Sequence, residues 1–146
     1  MSDATRVLSR RHTSTFLLSL LIGAGFATSA LAVDVKVTLS GDQEVPAVTT
    51  AATGSGTITV GDDMSVKGSV TTSGVAATAA HIHMAAAGKN GPVIIPLAKG
   101  GDNNWAVGAG AKLTEDQMKA FKAGELYVNV HSAANPNGEI RGQLKP

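Results

Sequence analysis

The chain has 146 residues, a near balance of 12 Lys+Arg against 11 Asp+Glu, and no cysteine. The missing cysteine excludes disulfides, thiolate metal ligands and a cysteine nucleophile. Aromatics make up only 3 % and no basic patch or aromatic stripe marks a nucleic-acid surface, so the core must be built from Val, Ile, Leu and Ala.

The N-terminus reads as a signal peptide over residues 1–32. Arg6, Arg10 and Arg11 form a positive segment, Phe16 to Ala27 an apolar one, and Ala30-Leu31-Ala32 a small-x-small cleavage pattern. The apolar stretch is about a dozen residues, whereas a spanning helix needs roughly 20. The residues after Arg10-Arg11 fit twin-arginine export poorly, so general secretion is expected, with no membrane association of the mature form. Cleavage after Ala32 would leave Val33 first, and removing Arg6, Arg10, Arg11 and Asp3 leaves nine Lys+Arg against ten Asp+Glu. Residues 33–146 then form one near-neutral domain with one core, periplasmic or secreted.

Period-two alternation dominates this domain. Val33, Val35, Val37 and Leu39 alternate with polar residues as an opening strand. Glu44-Val45-Pro46 and the Thr/Ala-rich run to Thr53 predict an extended edge or loop, because Pro46 cannot donate to a ladder. Gly54-Ser55-Gly56 has no helix after it, reads as a flexible lead-in to a strand, and is not a phosphate loop. Thr57–Val60 and Ser65–Thr71 predict a hairpin around Gly61-Asp62-Asp63. Ala76–His83, Val93–Leu97 and Trp105–Val107 are further strands. Thr114 and Gln117 form a capping-box pair, with Met118 and Phe121 on one helix face and Gly124 as the stop. Glu125–His131 and Glu139–Leu144 are the last strands, joined by Asn135-Pro136-Asn137-Gly138. The expectation is an all-β antiparallel Greek-key sandwich or barrel with one short helix.

Three histidines remain after cleavage: His81, His83 and His131. In a strand, residues i and i+2 share a face, so His81 and His83 project together, roughly 7 Å apart at Cα. His131 ends another strand, and if the two strands are neighbours the three imidazoles can share one metal ion with a coordination position left open. Imidazole nitrogen suits copper, zinc, iron or nickel, and an open three-histidine site fits catalysis or redox chemistry better than a closed structural role. Histidines at strand ends also serve as polar surface or hydrogen-bonding residues. Met84 points to the other strand face and reads as core. Asn129 and Tyr127 share the His131 face and are placed to fix an imidazole tautomer. Glu44 is a carboxylate ligand or an edge charge. No Ser/His/Asp hydrolase arrangement is visible.

Leu39-Ser40-Gly41, Glu44-Val45-Pro46, Ala80-His81-Ile82-His83, Gly88 to Val93, Gly124 to His131, and Asn135 through Leu144 together resemble the CHRD domain, named from chordin. The likeness spans essentially residues 33–146. It is strongest in Leu126-Tyr127-Val128-Asn129-Val130-His131 and Gly138-Glu139-Ile140-Arg141-Gly142. The order of the His-x-His pair, a strand-end histidine, Asn-x-Gly and a late arginine is also similar to copper/zinc superoxide dismutase. That resemblance implies a superoxide-dismutase-like barrel, as an alternative to an immunoglobulin-like sandwich. It implies copper on His81, His83 and His131, and Arg141 as a catalytic guide for superoxide. The bridging fourth histidine, the zinc loop and the disulfide of that family are missing, so any such activity would be of a copper-only kind.

Glu139 and Arg141 are equally placed to form a structural ion pair on one strand face. Three functions stand side by side. The first is a copper-only, superoxide dismutase-like oxidoreductase; the second is a periplasmic metal carrier or buffer; the third is a metal-free structural or recognition module. The partners this implies are a metal ion and superoxide, with no nucleic acid.

Overall fold

A computed structural model describes residues 31–146, so the signal-peptide reading of residues 1–32 falls almost wholly outside the described part. Alternation does what the pattern predicts from Val35 onward, while Val33 is exposed. In β1 (Ala32–Ser40) Val35, Val37 and Leu39 are buried while Asp34, Lys36 and Thr38 face solvent. The remaining elements are β2 (Thr53–Gly61), β3 (Val66–Ser73), β4 (Ala77–Met84), β5 (Val93–Lys99), β6 (Asn104–Val107), α1 (Glu115–Lys122), β7 (Leu126–Ser132) and β8 (Ile140–Leu144).

The eight strands close into an antiparallel barrel in the order β1-β2-β3-β6-β5-β4-β7-β8. Five connections join hydrogen-bonded neighbours. The other two, β3 to β4 and β6 to β7, each pass over two strands, which gives the Greek-key crossing expected. Closure is made where Ser40 of β1 pairs with Arg141 of β8.

One face of every strand fills the barrel. Leu39, Ile58, Val70, Ile82, Val128, Val130, Ile140 and Leu144 are each at or below 1 % exposure. Full burial of such an aliphatic side chain contributes roughly 1.5–3 kcal/mol before the entropy of ordering it. Met84 packs against this cluster from its rim, as expected of a core residue.

One local reading changes. Gly54-Ser55-Gly56 is not a flexible lead-in: all three residues lie within β2, paired with Leu39, Thr38 and Val37 on one side and Thr72, Thr71 and Val70 on the other. A Cβ on Gly56 would run into the Ser69 carbonyl, so the glycine is there because two backbones approach closely. Glu44 to Ala52 takes the loop form of the two expected, and it folds back over the outside of the barrel beside β7 and β8. The helix forms as its capping box dictates. Thr114 Oγ1 accepts from Gln117 N at 3.2 Å, Gln117 Oε1 accepts from Thr114 N at 2.9 Å, and Gly124 (φ 73°) ends the turn. Among the described residues no helix is long and apolar enough to cross a membrane.

Candidate metal centre

Strand pairing puts the histidines together. β4 lies beside β7, with His81 opposite Asn129, His83 opposite Tyr127, and His131 opposite Ala79. Ala80 and Ile82 point into the core, so period two sends His81 and His83 to the outer face of the barrel. On β7, Leu126, Val128 and Val130 face inward while Tyr127, Asn129 and His131 face outward to meet them. One ligand-capable nitrogen from each of the three rings lies within 4.8 Å of the others, so the three histidines are close enough to hold a metal ion.

The backbone sets which nitrogen each ring offers. His83 Nδ1 is 3.0 Å from the Gly91 carbonyl, and His131 Nδ1 is 3.0 Å from the Pro136 carbonyl. A carbonyl only accepts, so both Nδ1 atoms are assigned the proton and both Nε2 atoms present a lone pair. His83 Nε2 is buried without a partner, and His131 Nε2 faces His81 Nδ1 at 3.0 Å. The converging set is therefore His81 Nδ1, His83 Nε2 and His131 Nε2.

Nitrogens bound to one ion at about 2.0–2.1 Å stand roughly 2.9 Å apart at a right angle and at most about 4.2 Å apart. The His81–His131 pair already stands at 3.0 Å, and the other separations are at most 4.8 Å, so the rings must draw together to share an ion. Protonation does not block the site. Desolvation holds all three imidazoles below their ordinary pKa, helped at His81 by repulsion from His131 and His83, and opposed at His83 and His131 by their carbonyl partners. Neutral imidazole is the form that ligates.

The shell around the rings differs from the sequence-based expectation. Asn129 makes no hydrogen bond to an imidazole: its Nδ2 donates to Glu44 Oε2 at 3.4 Å. Tyr127 stacks on His83 with ring centroids 4.9 Å apart, but its hydroxyl accepts from Gly91 N at 3.1 Å instead of meeting a histidine. The tautomers are fixed by the Gly91 and Pro136 carbonyls, which carry no side-chain signature. The sequence offered only the turn clusters that contain them. Glu44 stands outside the histidine group and is no edge charge. It is 6 % exposed, and burial pushes its carboxyl up to about 7 against the opposing pull of Arg141 and Asn129.

Arg141 is 1 % exposed. Its guanidinium lies 3.5 Å from the Tyr127 ring centroid and donates to the carbonyls of Lys89 and Ala86. It forms no pair with Glu139. That carboxylate precedes β8, still in the turn, and accepts from Thr50 Oγ1 at 2.8 Å. Hydrogen bonds from Ser132, Thr50 and Asn135 keep the Glu139 pKa below the usual carboxylate value.

The CHRD family model matches residues 35–144, from the first buried valine of β1 to the last residue of β8. The chain belongs to the CHRD domain family. All three histidines and the loops that cover them fall inside the matched CHRD segment. No curated protein and no solved structure matches this CHRD domain.

Proposed function

We propose that this CHRD domain binds one metal ion, copper before zinc or iron, through His81, His83 and His131, and that the loaded site carries superoxide dismutase-like redox chemistry. The observation that carries this reading is the convergence of three neutral imidazoles, two of them locked by backbone carbonyls with Nε2 turned inward. Among divalent first-row metals, nitrogen sites hold Cu²⁺ most tightly. The ion would supply one-electron and Lewis-acid chemistry. The chain supplies the rest: Gly91 and Pro136 retain the Nδ1 protons, Tyr127 buttresses the His83 ring, and the three-nitrogen set leaves room for another ligand. The antiparallel Greek-key barrel and the order of the His-x-His pair, the strand-end histidine and the late arginine support the likeness to copper/zinc superoxide dismutase.

The test is titration of metal-free protein with copper and with zinc. One equivalent should bind tightly, and H81A/H83A should abolish that binding. Unchanged affinity and stoichiometry in the double variant would remove the site. A second reading, a metal carrier or buffer, is favoured by the burial of Arg141, which leaves the candidate anion guide at 1 % exposure. Superoxide consumption by the copper-loaded protein separates the two, because tight binding without turnover supports the carrier. The leader-like N-terminus supports export to the periplasm or beyond. Mass spectrometry of the protein from the extracytoplasmic fraction should find Val33 at its N-terminus.

A further inference from the structure

We propose that Arg141 is a positioning residue for His83, acting through the Ala85–Pro92 loop, and that it does not guide an anion. The loop joins β4 to β5 and covers the outer face of β7 and β8. Its hydrogen-bond tie to the imidazoles is Gly91, whose carbonyl accepts from His83 Nδ1 and whose N–H donates to Tyr127 Oη. Gly91 sits between Pro92, tied to β4 by the Met84 N–Pro92 O bond at 3.1 Å, and the preceding Lys89 and Asn90, which the Arg141 guanidinium holds. One guanidinium nitrogen donates to Lys89 O at 2.8 Å and reaches Asn90 Oδ1 at 3.4 Å. The other donates to Ala86 O at 3.2 Å and Gln143 Oε1 at 3.0 Å.

These donors are spent on the protein's own acceptors. Gln143, oriented by Arg141, sends its amide to Ala85 O at 2.9 Å and so pins the other end of the loop. A guide for an incoming anion needs free donors facing solvent, whereas a planar cation seated on Tyr127 and bonded to two carbonyls of one loop is a clamp. The chain of contact runs from Arg141 to Lys89 and Ala86, through the loop to Gly91, and from Gly91 to His83 Nδ1.

The tautomer of His83 does not depend on whether a metal binds, while the effect on affinity rests on the metal-site reading above. R141K keeps the charge but cannot span two carbonyls and an amide at once. In metal-free protein, ¹⁵N NMR of the imidazoles should show wild-type His83 as a single Nδ1–H tautomer and R141K as a mixture. Zinc affinity should fall about 10–100-fold, as for loss of other groups that orient a ligand. Affinity of the copper-loaded protein for azide, corrected for metal occupancy, should not change. The proposal is overturned if R141K keeps the pure His83 tautomer and zinc affinity within twofold, or if it loses azide binding alone. Should R141K not fold, N90A serves instead, because it keeps Arg141 and removes the loop's tether to Val45 O and one Arg141 acceptor. It should mix the His83 tautomers to a smaller extent, and an unmixed His83 would overturn the proposal equally. A wild-type protein that takes up no metal ends the metal reading but leaves the tautomer comparison to decide this one.

Discussion

His81 Nδ1 lies 3.0 Å from His131 Nε2, and one proton joins them. The His131 tautomer, fixed by Pro136, makes its Nε2 the acceptor, so the proton belongs to His81. A metal ion between the two rings must displace that proton to His81 Nε2, within the same imidazole. At neutral pH, uptake therefore costs one hydrogen bond and no net proton release.

This sets the first prediction. Calorimetric titration of the metal-free protein with zinc at pH 7.5, in buffers of different ionisation enthalpy, should show almost no proton release. At pH 5 protons should be released and affinity should fall, with the change setting in below the ordinary histidine value because all three rings are held below it. Release of a full proton at pH 7.5 would contradict the assigned tautomers.

Glu44 gives a pH dependence of the opposite sign in the metal-free protein. Its carboxyl is pushed up to about 7 by burial, from 4.5. The folded state holds this proton more tightly than the unfolded chain. The stabilisation it represents is complete below about pH 4.5 and is lost as pH rises through about 7, on the order of 3 kcal/mol in all. The neutral histidines work the other way, losing stability as pH falls below 6.5. Subtraction isolates Glu44: in urea unfolding, E44Q should gain on the wild type by up to about 3 kcal/mol between pH 4.5 and 8. Parallel curves would show that the carboxyl is not strained by burial.

Gly138 sits at φ 134°, and a Cβ there would collide with the Asn129 amide and the Glu44 carboxylate. G138A should lose about 3 kcal/mol of stability, combining backbone strain with overpacking. Thermal melts of metal-free protein check the figure, and a loss below 1 kcal/mol would mean that the Glu44–Asn129 pair yields easily.

Tyr127→Phe keeps the ring on His83 and removes the acceptor for Gly91 N. Leaving that N–H unpartnered should cost about 1–3 kcal/mol and weaken zinc binding less than R141K does. Thr114→Ala serves as the control: it removes a helix cap worth about 1 kcal/mol and should leave metal affinity untouched.

What was readable in the chain and what was not divides along physical lines. Alternation at Val35-Val37-Leu39 and the capping pair Thr114–Gln117 are local signals, and the elements followed them. The His-x-His spacing fixed a shared face, because period two leaves no alternative. The pairing of β4 with β7 is a long-range event, and it alone brought His131 to that face. Loop placement was hidden. Glu44 read as a ligand or edge charge and Arg141 as an anion guide or a partner of Glu139, because the folding of residues 41–52 and 85–92 over the barrel leaves no mark in their own spacing. Backbone carbonyls were invisible altogether, so Asn129 and Tyr127 drew the role that belongs to Pro136 and Gly91. Glycine misled at Gly54 and Gly56, where a lack of side chain means close contact and not freedom.

β7 is covered on both sides, by the aliphatic core within and by Tyr127, Asn129 and the overlying loops without. Its amide hydrogens, from Tyr127 to His131, should then be among the slowest in the molecule to exchange with heavy water, opening only with the whole domain. A ligand carried on such a strand is in place before any ion arrives. Filling the cluster would then ask for movement of the imidazole rings and of the His81 proton, with the backbone of β7 unchanged.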